Sequence, residues 1–124
     1  MADLIGDGAA FMAAQMADFA ARQVTYRRGG QSSVIRATVG RTVFRVESDG
    51  VWLRLESRDY IVPAADLAAF GDPQRGDQIL ETSSGVTVTR EVIAPGGEPE
   101  WRWSGPGRDA YRIHTSTINE SPAT

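Results

Sequence analysis

From Val24 onward the chain alternates between apolar and polar positions. Val24 and Tyr26 are interleaved with Thr25 and Arg27. Thr42, Phe44 and Val46 alternate with Val43, Arg45 and Glu47, and Val51, Leu53 and Leu55 with Trp52, Arg54 and Glu56. A period of two predicts strands, because successive side chains leave opposite faces of the pleat. Glycine-rich breaks separate the runs. Gly29-Gly30-Gln31-Ser32-Ser33 reads as a flexible loop, and Gly40-Arg41 as a turn after a strand over Val34–Val39. Ser48-Asp49-Gly50 reads as a turn whose glycine suits positive φ. Strand signals return about every ten residues, which favours a small antiparallel barrel or sandwich over a parallel sheet.

The first stretch has a different period. Asp7 can cap a helix, and Met12, Met16, Phe19 and Gln23 follow at spacings of four, three and four. This narrow stripe predicts an N-terminal helix over residues 1–22 that lies on a sheet. Its alanine-rich opposite side could also meet a neighbouring subunit. Further on, Tyr60-Ile61-Val62 is a strand ended by Pro63, and residues 64–70 predict one short helix before Gly71. Gln78–Glu81 and Val86–Val92 form a hairpin turning at Ser83-Ser84-Gly85. The loop from Pro95 to Asp109 holds a short extended piece, Trp101-Arg102-Trp103. Tyr111–Ile118 is the last strand, and residues 119–124 form a polar tail. The whole is expected to be a single mainly β domain, 1–124, with the barrel over 23–118.

Length and composition fit that reading. A chain of 124 residues can bury one core without staples. There is no cysteine, hence no disulfide framework and no thiolate metal site. No apolar run approaches the roughly 20 residues that span a bilayer. The first residues carry Asp3 and Asp7 and no basic residue, which argues against a secretory signal. The net charge of −3 hides an asymmetry: between Arg22 and Arg58 eight arginines face only Glu47, Asp49 and Glu56. All thirteen basic residues are arginine. A GC-rich genome explains that bias, and bidentate carboxylate or phosphate contacts would also use it.

Candidate chemistry is sparse. His114 is the one histidine, on the last strand, without the convergent ligands a metal needs. A Ser-His-Asp set is not visible in sequence order, and no nucleophile-elbow pattern supports one. Lysine is absent, which removes a phosphate-binding P-loop. Arg75-Gly76-Asp77 reads as hairpin entry rather than as an adhesion motif. No catalytic, cofactor-binding or metal-ligating residue is therefore expected, and the chain is read as non-enzymatic. Trp101 and Trp103 share one face of their short strand, with Arg102 on the other. They either cover the barrel mouth or anchor a partner. The strand arginines Arg27, Arg28, Arg36, Arg45 and Arg54 form a solvated face, or a basic strip for an acidic partner or DNA backbone.

One resemblance adds to these readings. Asp59-Tyr60-Ile61-Val62 leads into Ala65-Asp66-Leu67, then Arg75-Gly76-Asp77-Gln78-Ile79 and Val86-Val88. Glu91-Val92-Ile93-Ala94-Pro95-Gly96-Gly97 follows, and then Trp103 and a basic strand. In order and spacing this resembles the head–tail attachment proteins of long-tailed phages, of the lambda-type head-completion or stopper family. The resemblance implies a small barrel that joins a ring, commonly six-fold, between the portal or adaptor proteins and the tail terminator or tail tube, with possible contact to packaged DNA. It implies no cofactor and no membrane, a place in the virion at the head–tail interface, and assembly in the host cytoplasm. By analogy the interface loops are Arg27, Arg28, Gly29, Gly30 and Gln31, and Glu98, Trp101, Arg102 and Trp103. Another phage barrel component, such as a tail terminator or baseplate piece, is the nearest alternative. A small OB-like nucleic-acid-binding module, with Tyr26, Phe44 and Trp52 as stacking platforms, is the other.

Overall fold

The computed structural model describes residues 21–122. The helix expected over 1–22 lies outside them apart from its last two positions, and Arg22 opens a strand rather than closing a helix. Seven strands follow: β1 (Arg22–Arg28), β2 (Gln31–Ser48), β3 (Val51–Pro63), β4 (Gln78–Ser83), β5 (Val86–Val92), β6 (Trp101–Trp103) and β7 (Ala110–Pro122). All pairings are antiparallel, and β3 also pairs with β7. The circuit β1-β2-β3-β7-β5-β4 therefore closes on itself, with β6 added at the edge of β7. Closure leaves the barrel wall few unpaired backbone groups.

Alternation decides which side chains fill the interior. Val24 and Tyr26 of β1, Ile35 and Ala37 of β2, Tyr60 and Val62 of β3, Ile79, Val92 and Ile113 are all buried and form one core. Leu67 and Phe70 join it from the β3–β4 connection. That connection is not the short α-helix expected over residues 64–70. Ala64–Leu67 is a single 3₁₀ turn, with Ala68 N–H on the Ala65 carbonyl and Phe70 N–H on the Leu67 carbonyl. Pro63 before it and Gly71 after it, at φ +75°, leave too few residues to propagate an α-helix.

Three further expectations are corrected. Gly40-Arg41 is no turn: β2 runs unbroken through it, pairing Gly40 with Asp59. The glycine is there for space. A Cβ at position 40 would stand 3.1 Å from Arg112 Nη2, which donates to the Arg41 carbonyl. Of the loop expected over 29–33, only Gly29-Gly30 turns, with Gly29 at φ +58°; Gln31 already pairs with Arg28. The polar tail expected from Asn119 is strand as far as Pro122, laid along β5 from Thr89 to Val86. Polar residues suffice there because that end of β7 is exposed on its faces and held by backbone ladder bonds.

The Asp49-Gly50 and Ser84-Gly85 turns both take φ > 0 at two successive positions, which matches the right-handed twist of the strands they join. Gly96, in the Pro95–Gly97 turn after β5, combines φ +58° with a close approach, since an added Cβ would lie 2.6 Å from Val46 Cγ2. Val46 is β-branched and cannot swing aside cheaply. Gly96→Ala is expected to destabilise the fold by roughly 1–3 kcal/mol. Urea unfolding measures this, and a variant as stable as the parent would contradict the packing.

Candidate protein interface

The longest strands reach beyond the barrel. β1 accompanies β2 only as far as Ala37, and β7 accompanies β3 only from Arg58 to Pro63. From the Thr42–Ser57 pair to the Ser48–Val51 pair, β2 and β3 are paired as strands only with each other among the described residues. The result is a two-stranded arm, seven residues a side and roughly 23 Å long at about 3.3 Å per residue. An open cleft of about 570 Å³ separates its foot from β7, between Arg41, Glu56 and Arg58 on one side and Thr115, Ser116 and Thr117 on the other.

Cross-strand partners share a face, so register gives the arm two unlike sides. The outer side carries Phe44 with Leu55, Val46 with Leu53, and Ser48 with Val51. Phe44 packs edge-on against His114, and Val46 meets the Pro95–Gly97 turn. Val51, Leu53 and Leu55 have no such cover and remain 58%, 45% and 40% exposed. The inner side continues the parity of the barrel interior. It carries Arg41 with Arg58, Val43 with Glu56, Arg45 with Arg54, and Glu47 with Trp52. Trp52 is 68% exposed.

Three buried carboxylates hold the barrel that carries the arm. Glu81, at the arm end, accepts from Tyr60 Oη at 2.6 Å, Arg22 Nη1 at 2.6 Å, Arg58 Nη2 at 3.1 Å and Arg90 Nη1 at 3.1 Å. Asp77, at the other end, accepts from Arg28 Nε and Nη2, Tyr26 Oη and the Gln74 N–H. Burial pushes the Tyr26 phenol up, and the bond to Asp77 adds to the rise. Asp59, in the wall at the root of the arm, accepts from His114 Nδ1 at 2.9 Å, Ser57 Oγ at 2.6 Å, Arg112 Nε at 2.7 Å and the Thr42 hydroxyl.

Burial alone would raise the Glu81 carboxyl, but the bonds from Tyr60, Arg22 and Arg58 outweigh it and hold the group at about 2 against an ordinary 4.5. A carboxylate depressed on folding stabilises the native state above its unfolded pKa, and that contribution is lost as pH falls through the folded value. The shift corresponds to about 3 kcal/mol. Urea midpoints should therefore fall between pH 6 and pH 3, and Glu81→Gln should make that fall shallower, leaving the share contributed by Asp59 and Asp77. Equal slopes for both proteins would contradict the assignment.

Ser57, Asp59 and His114 meet without the geometry for nucleophilic catalysis. Ser57 donates to Asp59 Oδ1, and its oxygen lies 3.4 Å from the same His114 Nδ1 that bonds Asp59. A serine nucleophile needs the imidazole nitrogen opposite the one its carboxylate holds. The trio is a buried pin between β3 and β7. Among the described residues no group of His, Asp and Glu is placed to hold a metal ion.

The loop residues singled out from the sequence fall at different places. Arg27 is bonded to Gln78, while Arg28 bonds Asp77 and the carbonyls of Phe70 and Asp72 and lies over the Phe70 ring. Gly29, Gly30 and Gln31 are exposed at the barrel end opposite the arm, because β2 runs from that turn into the arm. Trp101 and Trp103 are half-buried against Tyr111, with centroids at 4.7 and 5.1 Å, while Glu98 and Arg102 face solvent. The arm was not singled out. Its signal was present in Val51, Leu53 and Leu55 alternating with Trp52 and Arg54, apolar side chains that no described residue covers.

Compared with models of known protein families, residues 2–122 match the one described as phage head–tail joining protein. No curated protein matches the chain.

Proposed function

Because this chain belongs to the phage head–tail joining family, and is therefore a structural, non-enzymatic part of the virion at the head–tail junction, we propose that it works as a ring of identical subunits, hexameric in the simplest case. It completes the DNA-filled head and offers the tail its docking surface, the role of a lambda-type stopper. The observation that carries this reading is the arm with its uncovered Val51, Leu53 and Leu55. Burying the exposed remainder of these side chains against a neighbour would return about 1 kcal/mol each. Such contacts are weak singly and strong when several subunits dock on a preformed ring, since each neighbour raises the effective concentration of the next.

A rotational ring needs two different patches per subunit. The arm supplies one, and the barrel wall of the next copy receives it. The opposite end, with Gly29, Gly30 and Gln31, and the rim with Glu98, Trp101, Arg102 and Trp103 are then free for portal or adaptor proteins on one side and tail terminator or tail tube proteins on the other. The inner arginines are placed to meet packaged DNA if they face the channel. Electron microscopy of particles made without the protein tests the role: full heads without tails, or heads that have lost their DNA, are expected. Normal infectious particles would end the reading.

A further inference from the structure

Where the arm leaves the barrel, β3 and β7 part. Their ladder ends at the Arg58–Thr115 pair, and beyond it β3 pairs only with β2, and β7 only with β5, among the described residues. The cleft of about 570 Å³ at this point is therefore walled by two strand edges without ladder partners. Register decides which side chains face it. Arg41 stands across from Arg58, and Arg58 across from Thr115, so all three leave the same face. Glu56 and Thr117 follow one alternation further along their strands. All five line the cleft.

The neighbourhood is short of acceptors. Glu81 already accepts from Tyr60, Arg22, Arg58 and Arg90, which fills the roughly four lone-pair sites of a carboxylate. Arg90 Nε is buried and still has no hydrogen-bond partner among the described residues. On the arm, Arg41 and Arg54 share Glu56 at 3.5 and 3.7 Å, well beyond the roughly 2.7–2.9 Å of a charge-assisted bond. Five guanidinium groups thus meet two carboxylates, a surplus of three positive charges in the ion pairs that adjoin the cleft. Arg41 and Arg58, set directly opposite, repel each other until an anion separates them.

The shape of the cleft selects among anions. A carboxylate has two oxygens and one charge. A phosphate group has at least three strong acceptor oxygens and about −1.5 to −2 charges at pH 7. It can accept from Arg41 and Arg58 on one wall and from the Thr117 hydroxyl and the bare β7 edge on the other. Guanidinium forks match phosphate oxygens in pairs, and the edge of a sheet offers further N–H donors to an anion.

We propose that the cleft at the foot of the arm is a phosphate-binding site, with Arg41 and Arg58 as its clamp and Thr117 with the β7 edge as the opposing wall. A phosphate seated there bridges the arm to the barrel and fixes the arm at its foot. The site is complete within one subunit and does not depend on ring formation. The phosphate can arrive as the free ion or within a nucleic-acid backbone.

Amide chemical-shift titrations of the isotope-labelled, full-length protein at constant ionic strength test this with three probes: inorganic phosphate, acetate, and a short oligothymidylate without terminal phosphates. Saturable shifts are expected at Arg41, Glu56, Arg58, Ser116 and Thr117, with acetate binding several-fold more weakly than the better of the two phosphate-bearing probes. Arg41 is exposed and stands outside the Glu81 cluster, so Arg41→Gln should keep the fold. It should weaken binding about ten-fold, the loss expected of one charge-assisted hydrogen bond. Arg75→Gln, equally exposed on the β3–β4 connection, should change nothing. Tighter binding of the oligonucleotide, at the same amides and with the same dependence on Arg41, identifies a nucleic-acid backbone as the source; tighter binding of inorganic phosphate identifies the free ion. Four results would each overturn the proposal: no saturable shift with either phosphate-bearing probe, shifts spread over arginines all round the surface, acetate at parity, or Arg41→Gln binding like the parent. The last three would mean an adventitious ion only.

Discussion

Asp59→Ala should cost the fold about 3–5 kcal/mol, because it leaves a buried histidine and a largely buried arginine without their shared anion. Asp59 is fully buried and accepts from His114, Ser57, Arg112 and Thr42. Burial by itself would raise its carboxyl; the bonds from His114, Ser57, Thr42 and Arg112 instead hold it well below the usual range. Its contribution is accordingly present above the ordinary carboxylate pKa and is lost as pH falls. A domain of this size has about 5–15 kcal/mol in total, so the alanine variant should sit near the edge of folding. The effect should reach the arm too, since Asp59 bonds Thr42 where β2 leaves the barrel. Urea unfolding with amide exchange on β2 and β3 reads both effects. A loss below about 1 kcal/mol would mean that the cluster is solvated rather than buried.

Leu53→Asp together with Leu55→Asp should have the opposite profile. Both side chains are exposed in the isolated chain, so the change in stability should stay within about 1 kcal/mol. In a phage that depends on this protein for infectivity, the same pair should lower infectious titre by orders of magnitude, because each subunit contact would have to bury two carboxylates in place of two leucines. Thermal melts and complementation titres separate the two readouts. Parent-like titre from a stable double variant would remove the arm from the assembly surface.

The parts of the fold legible in the sequence are those set by near neighbours. Alternation located the strands, and Asp49-Gly50 and Ser84-Gly85 located two hairpins, because turn chemistry and pleat parity act over a few residues. Gly40 was misread for the same reason. A glycine between two apolar runs resembles punctuation, but here it leaves room for Arg112, 72 positions along the chain, whose guanidinium would stand 3.1 Å from an added Cβ. The buried clusters were invisible on the same grounds: Tyr26 and Asp77, Tyr60 and Glu81, and Asp59 and His114 come together only when the barrel closes. The arm was half legible. Its alternation could be read, but that β1 stops at Ala37 and β7 diverges at Thr115, leaving the Val51, Leu53 and Leu55 strip of the outer side bare, is a property of strand lengths around the whole circuit.

That bare side carries the account, and a cryo-electron microscopy reconstruction of the head–tail junction in infectious particles tests it most directly. A ring of this chain is expected, with Val51, Leu53 and Leu55 of each arm buried against the next subunit. A junction in which the arms project into solvent, or from which the chain is missing, would contradict it.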